Sequence, residues 1–491
     1  MGSLFSNIQN TILLESKIHL FYSLFLGCLI TIIIVLCISS SLYLRCILER
    51  FIRIQIRKRL MDRTLKSPNK DAFILYYRNS LCCFQKINDE LLGKILQNNH
   101  SCAFFLDRSI SFLSSHRPSS SSSIDRGYGS IDDFREKVPL TTYDDYRSYI
   151  DRMIHNGEQH LLSSDKTIYF AVTSGTTGKS KILPVTKSMY RKTITLANLT
   201  LSLIWRSLPS SSYPFPDQQS FILYIGKKAN MFSKSQDGIP IGPISQLMSA
   251  VSPIPGLKFI ISLINIIPFD LIESIPHFET STYVQLVFAL TIPNIYVYSV
   301  TFASGFIHSI KLIEHYYEEM CRCISSANFD HSSLVRDNVH DLKVRLRLNQ
   351  TLKKVALEYG GLSYRIARAE HIHNECMKKD VPGILSRLWP SLIYASTATG
   401  STFAMYKKEV EFYCGKQLPI VNLGFYASSE GFFGCLASIS TDEYFLLPNI
   451  AFYEFIKEDD IHQAGIVYID KSFCILVRKK FFENTTHGVK Y

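Results

Sequence analysis

The feature that most limits what this chain can fold into is a short run of β-type residues, Thr167-Ile-Tyr-Phe-Ala-Val172. It passes without a spacer into Thr173-Ser-Gly-Thr-Thr-Gly-Lys-Ser-Lys181. Hydroxyls and glycines in a turn at the end of a strand aim N–H and O–H groups at one small volume, which suits phosphate oxygens. A Walker A loop needs a glycine, four intervening residues and then Gly-Lys-Ser/Thr. Gly178-Lys179-Ser180 is present, but Thr173 stands where the first glycine must be, so that spacing fails. A Ser/Thr-rich surface turn is the plain alternative.

The rest of the chain divides by composition. Leu20 to Leu44 carries no charged side chain, and about 20 apolar residues span a ~30 Å hydrocarbon core. A retained transmembrane helix is expected over 18–45. Glu15 ahead of the run and the lack of an Ala-x-Ala site after it argue against a cleaved leader. Arg45, Arg50, Arg53, Arg57, Lys58 and Arg59 follow the run, against Lys17 before it. That asymmetry puts the main domain in the cytosol, as a single-pass protein of the endoplasmic reticulum or a related endomembrane. Met1-Gly2 with Ser6 fits a myristoylation pattern loosely and would imply the opposite orientation.

Residues 1–17 then form a short tail, 46–69 a basic juxtamembrane helix, 70–462 the main domain and 463–491 a divergent tail. The basic juxtamembrane cluster and a basic tail account for much of the +11 formal charge, and no basic-aromatic motif points to nucleic acid. Twelve cysteines without a CxxC pair, including Cys82-Cys83 and Cys321-x-Cys323, indicate reduced thiols rather than a disulfide or zinc scaffold.

Strand-like runs at Phe221–Ile225 and Ile295–Val300 alternate with helical patterns at Ile87–Leu96, Tyr283–Ala289, Ile307–Ser325 and Leu342–Leu357. That alternation predicts an α/β architecture with largely parallel sheets flanked by helices. A second candidate site follows the strand expected at Pro419–Tyr426, which runs into Ala427-Ser-Ser-Glu430-Gly431. A carboxylate at the C-terminal edge of a parallel sheet is where α/β proteins place ligand groups, and one glutamate plus ATP phosphates suffices for Mg²⁺. A helix N-terminus with serine capping and glutamate in the first turn fits the residues equally. His371, His373, Glu375 and Cys376 match no zinc spacing, and Arg365 with Arg368 reads as a solvated face.

Taken together the two motifs resemble the acyl-acid amido synthetases of plants and their animal relatives, the Gretchen Hagen three family of adenylate-forming enzymes. The resemblance rests on TSGTTGKSK with Pro184-Val-Thr186 after it, and on YASSEGFFG at 426–434. It is carried further by FREKVPLTTYDDY at 134–146, GIPIGPIS at 238–245, LWP at 388–390, GSTFAMY at 400–406 and LLPNIAFYEFI at 446–456. It implies an adenylate-forming fold and a two-step ATP reaction that joins a small carboxylic acid to an amine or amino acid. It also implies roles: Ser174, Gly175, Thr176, Thr177, Gly178 and Lys181 would hold phosphates, and Tyr426, Ala427, Ser428 and Ser429 would line adenine and the α-phosphate. Glu430 would carry Mg²⁺, and Thr186 would border the acyl or amine pocket. The family's third motif, ending in a ribose-binding Gly-Asp, has no counterpart in residues 463–491, so a truncated ligase is expected. An inactive anchored nucleotide-binding scaffold and an acyl-CoA synthetase-like enzyme are the alternatives.

Overall fold

A computed structural model describes residues 42–65, 83–110, 134, 136–138, 141–173, 180–208, 217–224, 233–244, 247, 251, 267–428, 430–439 and 443–454. Residues 174–179 of the loop, Ser429 and everything from 455 onward lie outside this set. So does the Leu20–Leu44 run except for its last three residues, which open the helix Leu42–Leu65 (α1). Among the described residues no helix is long and apolar enough to cross a membrane.

Three sheets are present among the described residues. The first orders β2 (Ile182–Thr186), β1 (Thr167–Val172), β5 (Pro240–Pro243) and β4 (Ser233–Lys234). It is mixed: β1 is antiparallel to β2 and parallel to β5, and β4 is antiparallel to β5. The second, β3 (Gln219–Ile222), β6 (Ile295–Phe302), β7 (Tyr394–Ala398) and β8 (Ile420–Val421), is parallel throughout. The third is an antiparallel meander of β9 (Phe425–Ser428), β10 (Gly431–Leu436) and β11 (Tyr444–Leu446). The expectation of largely parallel sheets therefore holds for one sheet in three. The α/β class itself stands.

The remaining long helices are α2 (Phe84–Asn99), α3 (Asp144–His155), α4 (Lys187–Ser207), α5 (Phe278–Thr291), α6 (Ala303–Ser326), α7 (Leu342–Leu357), α8 (Gly361–Cys376) and α9 (Lys407–Cys414). From Thr280 onward every residue of α5 is buried, as expected of a helix that is apolar or small on all sides and sits inside a core. Its last carbonyls therefore need partners that water cannot supply. Trp389 Nε1 donates to Ala289 and Ile292 oxygens at 3.3 and 3.0 Å, Arg368 Nε to Leu290 at 2.7 Å, and the Tyr364 hydroxyl to Thr291 at 2.6 Å.

Arg368 is thus no solvated residue. It is buried against the negative end of a helix dipole, and that burial lowers its pKa. Its neighbour Arg365 is partly buried, and the same cause lowers its pKa. His371 faces the Arg387 carbonyl and Glu375 pairs with Lys378 and Arg387. Among the described residues no group of acidic, His or Cys side chains is placed to hold a metal by itself.

Candidate active site

β1 and β2 form a hairpin, and TSGTTGKSK is the loop that joins them. The ends of the loop are tied together: Thr173 N–H donates to the Lys181 carbonyl at 2.9 Å, and Lys181 N–H to Thr173 Oγ1 at 2.9 Å. The Ser180 hydroxyl donates to the Thr173 carbonyl at 2.7 Å. Tyr143, at the start of α3, braces the same point. Its hydroxyl accepts from Ile182 N–H at 3.0 Å and donates to the Ile182 carbonyl at 3.2 Å. The Lys181 ammonium lies 5.6 Å from the centre of the Tyr143 ring, within cation–π range. The neck therefore holds Lys181 by its backbone on one side and by an aromatic face on the other. Burial pushes the Tyr143 hydroxyl above the usual tyrosine range, which keeps it a neutral donor.

β2 spans five residues, or about 17 Å at antiparallel rise, and ends in Thr186. Thr186 is the N-cap of α4: its hydroxyl accepts from Met189 N–H at 3.3 Å. Ser188 N–H donates to the Asp165 carboxylate at 2.6 Å. Burial alone would raise the Asp165 pKa, but hydrogen bonds from Ser188 and Thr186 outweigh it and hold the carboxyl below its ordinary value. A charged carboxylate at a helix N-terminus is also favoured by the dipole. Thr186 thus fixes the start of the helix, and the next residues form a wall.

That wall faces the second motif. Ser188, Met189, Lys192 and Thr193 from α4, with Glu430, Gly431, Phe432 and Phe433 from the β9–β10 hairpin and Ile450 and Ala451 behind them, enclose a cleft of about 230 Å³. Glu430 is not at the edge of the parallel sheet, nor at a helix start. Pro419–Tyr426 is not one strand: β8 ends at Val421 and the chain enters the antiparallel meander at Phe425. Ser428 pairs with Gly431, so Glu430 belongs to a two-residue turn between β9 and β10. The Ser428 hydroxyl donates to the Glu430 carboxylate, and Glu430 N–H donates to Ser428 Oγ at 3.2 Å. Both groups offer oxygen only, the donor type that Mg²⁺ takes. Tyr426 is 41% exposed, and the exposed Ala427 and Ser428 follow it along β9 on alternating sides.

Sequence reasoning missed two residues here. Lys192 sits one turn along α4 from Ser188, and its ammonium donates to the Ile450 carbonyl at 3.1 Å. Burial pulls its pKa below the usual lysine range. Tyr453 donates to the carbonyls of Phe433 and Leu447 at 2.8 and 3.2 Å. Asn88 of α2 fixes the Tyr453 backbone by two bonds of 2.8 and 2.9 Å. The signal for these was the 446–456 segment itself. Its Ile450 and Ala451 line the cleft, and its Ile450 carbonyl holds Lys192.

Lys181 is not among the residues that line the Glu430 cleft. Lys181 stands at the start of β2, whereas Glu430 faces the helix that begins at its end.

A family model described as the GH3 family N-terminal domain matches residues 78–420. The chain belongs to the GH3 family. It is 28% identical over 358 residues to the indole-3-acetic acid-amido synthetase GH3.15 of Arabidopsis thaliana, covering 69% of this chain and 54% of that relative. It is 27% identical over 337 residues to GH3.17 of the same plant, covering 67% and 51%. The chain thus spans about half the length of these curated relatives. Among solved structures, the AtGH3.15 acyl acid amido synthetase in complex with 2,4-DB superposes with a TM-score of 0.60 at 24% identity, over 77% of this chain and 60% of that one. At that identity the likeness speaks for the GH3 fold.

Proposed function

We propose that this GH3 chain is an ATP-dependent ligase that activates a small carboxylic acid as its acyl-adenylate and passes the acyl group to an amine or amino acid. The observation that carries this reading is the pairing of the braced TSGTTGKSK hairpin with the Ser428–Glu430 turn, joined through β2 and the first turns of α4, in a GH3 domain. In the first step a carboxylate oxygen bonds to the α-phosphorus and pyrophosphate leaves. In the second the amine nitrogen attacks the acyl carbon, AMP departs with the electron pair, and the amine gives up a proton. Both steps expel a phosphate anion, pyrophosphate and then AMP, so positioned donors matter more than a general base. Lys181, Ser174, Gly175, Thr176, Thr177 and Gly178 are assigned to the phosphates. Tyr426, Ala427, Ser428 and Ser429 are assigned to adenine and the α-phosphate, and Thr186 to the rim of the acyl or amine pocket. Mg²⁺ is assigned to Glu430 with Ser428 beside it. With no further acidic cluster among the described residues, its other ligands would be phosphate oxygens and water, and it would neutralise charge on the leaving group.

Leu20–Leu44 is proposed as a single-pass anchor that holds the ligase on the cytosolic face of the endoplasmic reticulum or a related endomembrane. Its support is the uncharged length of the run and the arginines after it.

The test is carboxylate-dependent ATP–pyrophosphate exchange over a panel of small acids, with Lys181→Ala and Glu430→Ala as controls. Exchange by the parent chain that falls at least a hundredfold in both variants is the expected result. A parent chain that binds ATP but exchanges with no acid would sink the ligase reading and leave the nucleotide-binding scaffold.

A further inference from the structure

The basic residues after the uncharged run do not share one face of their helix: Arg50 and Arg53 turn to the domain, and Lys58 and Arg59 are exposed. α1 packs against α4 and α7. Arg53 is 7% exposed and ion-pairs with Glu358, which follows the last turn of α7. Arg50 Nη1 donates to the Glu358 carbonyl at 2.7 Å and its guanidinium lies 5.4 Å from the Tyr359 ring centre. Glu49 pairs with Lys354 of α7. Residues 49, 50 and 53 share one side of the helix by the 3.6-residue period. They are spent on the domain.

The opposite side is bare. Ile47, Phe51 and Ile52 are exposed, Phe51 by 57%, and a turn further on so are Lys58 and Arg59. By helical spacing Ile47, Phe51 and Lys58 fall on one stripe, with Ile52 and Arg59 at its flank. Apolar groups therefore come first along the stripe and cations second. The helix also starts within the uncharged Leu20–Leu44 run, so its apolar end is the end nearest the proposed anchor. That order suits the boundary between acyl chains and phosphate headgroups.

We propose that α1 is an interfacial strut: one face is pinned to the domain through Arg50, Arg53 and Glu49, and the Ile47–Phe51–Ile52 face with Lys58 and Arg59 lies on an anionic lipid bilayer. The continuity part of this argument rests on the anchor reading above; the exposed stripe does not. The occupant is lipid, because the apolar-then-basic order runs outward from the uncharged segment and the basic end complements anionic headgroups. Since α4 carries Ser188, Met189 and Lys192 of the cleft and packs on α1, the strut also fixes how the cleft is turned relative to the membrane.

Tryptophan provides the probe. The chain has two tryptophans, Trp205 and Trp389, both buried, so Phe51→Trp adds one indole that is exposed. The full-length variant is reconstituted into phosphatidylserine-containing vesicles carrying lipid brominated near the headgroup. The expected result is blue-shifted emission from the introduced indole, which bromolipid quenches and iodide does not. Adding Lys58→Glu and Arg59→Glu should cut that quenching about tenfold, and should do so less in pure phosphatidylcholine. An introduced indole that stays as open to iodide in vesicles as in detergent overturns the strut, and so does a face covered by protein, where neither quencher reaches it. Alkaline carbonate extraction separates the two readings. Chain that washes off, yet is quenched at neutral pH, keeps the strut and loses the anchor. Chain that resists the wash while its new indole goes unquenched by bromolipid keeps the anchor and loses the strut.

Discussion

Gly434 closes the YASSEGFFG motif, and its position shows why a side chain is excluded there. It pairs with Tyr426 of β9 on one side and Leu446 of β11 on the other. A Cβ on Gly434 would lie 2.3 Å from the Phe445 carbonyl oxygen and 3.0 Å from its carbon. Carbon–oxygen contacts close to about 3.3 Å, so β11 must retreat by about 1 Å or the ladder must open. Overpacking of this kind costs about 1–3 kcal/mol, and each ladder hydrogen bond lost adds roughly 1 kcal/mol. Gly434→Ala should therefore destabilise by about 2–4 kcal/mol. On the proposed function it should also weaken ATP binding, because β10 carries Glu430 at its leading turn and β11 leads to the Ile450 carbonyl that holds Lys192. Gly431→Ala is the comparison: its Cβ would meet the flexible end of Met189 at 3.3 Å, which can move at a cost under about 1 kcal/mol. Urea midpoints and equilibrium binding of an ATP analogue measure both. A Gly434→Ala protein with the midpoint and affinity of the parent would refute the steric account of the hairpin.

Two further outcomes are expected. Hydrogen bonds from Arg152 and then Asn156 hold the Glu158 carboxyl at about 2, so this group adds stability that is present above its ordinary value of 4.5 and is lost as pH falls through about 2. Arg152→Met should erase that part of the acid dependence, and a parent-minus-variant unfolding gap that stays flat from pH 6 to pH 2 would contradict it. Burial pushes the thiols of Cys321, Cys323, Cys376, Cys414 and Cys435 up to about 12, whereas Cys83 is exposed. Iodoacetamide at pH 8 should alkylate the Cys83 peptide and spare those five in the native protein, and peptide mass spectrometry showing any of them modified as fast as Cys83 would overturn their placement in the core.

Features fixed by short-range pattern were readable from the sequence, and those fixed by distant partners were not. The Ile87–Leu96, Ile307–Ser325 and Leu342–Leu357 helices were visible as apolar periodicity and extend by a few residues at most in the structure. The strand before TSGTTGKSK was equally plain. That this loop belongs to an antiparallel hairpin depends on β2 folding back onto β1, and Ile182–Thr186 contains a proline that weakens its strand signal. The break in Pro419–Tyr426 is set by Asn422. Its Oδ1 accepts N–H groups of Thr399, 23 residues away, and of Leu423, and so ends β8 after two residues. Gly424 then passes so close to α4 that an added Cβ would sit 2.2 Å from Thr200 Cγ2. Arg368 read as surface because its charge was visible and the carbonyls it caps, at the end of a helix some 78 residues earlier, were not.

The element on which the parts of the site converge is α4. Its N-cap, Thr186, is the last residue of the strand that begins at the neck of the TSGTTGKSK loop, so any shift of Lys181 along β2 is passed to the first turn of the helix. That turn faces Glu430, and further along the Thr200 hydroxyl reaches the Gly424 carbonyl at 3.3 Å, where the meander begins. The same helix supports α1. A helix fastened at its cap and along its flank moves as a body, because packed interiors resist local deformation. The neck of the TSGTTGKSK loop and the Glu430 turn are therefore held in a fixed relation through one helix.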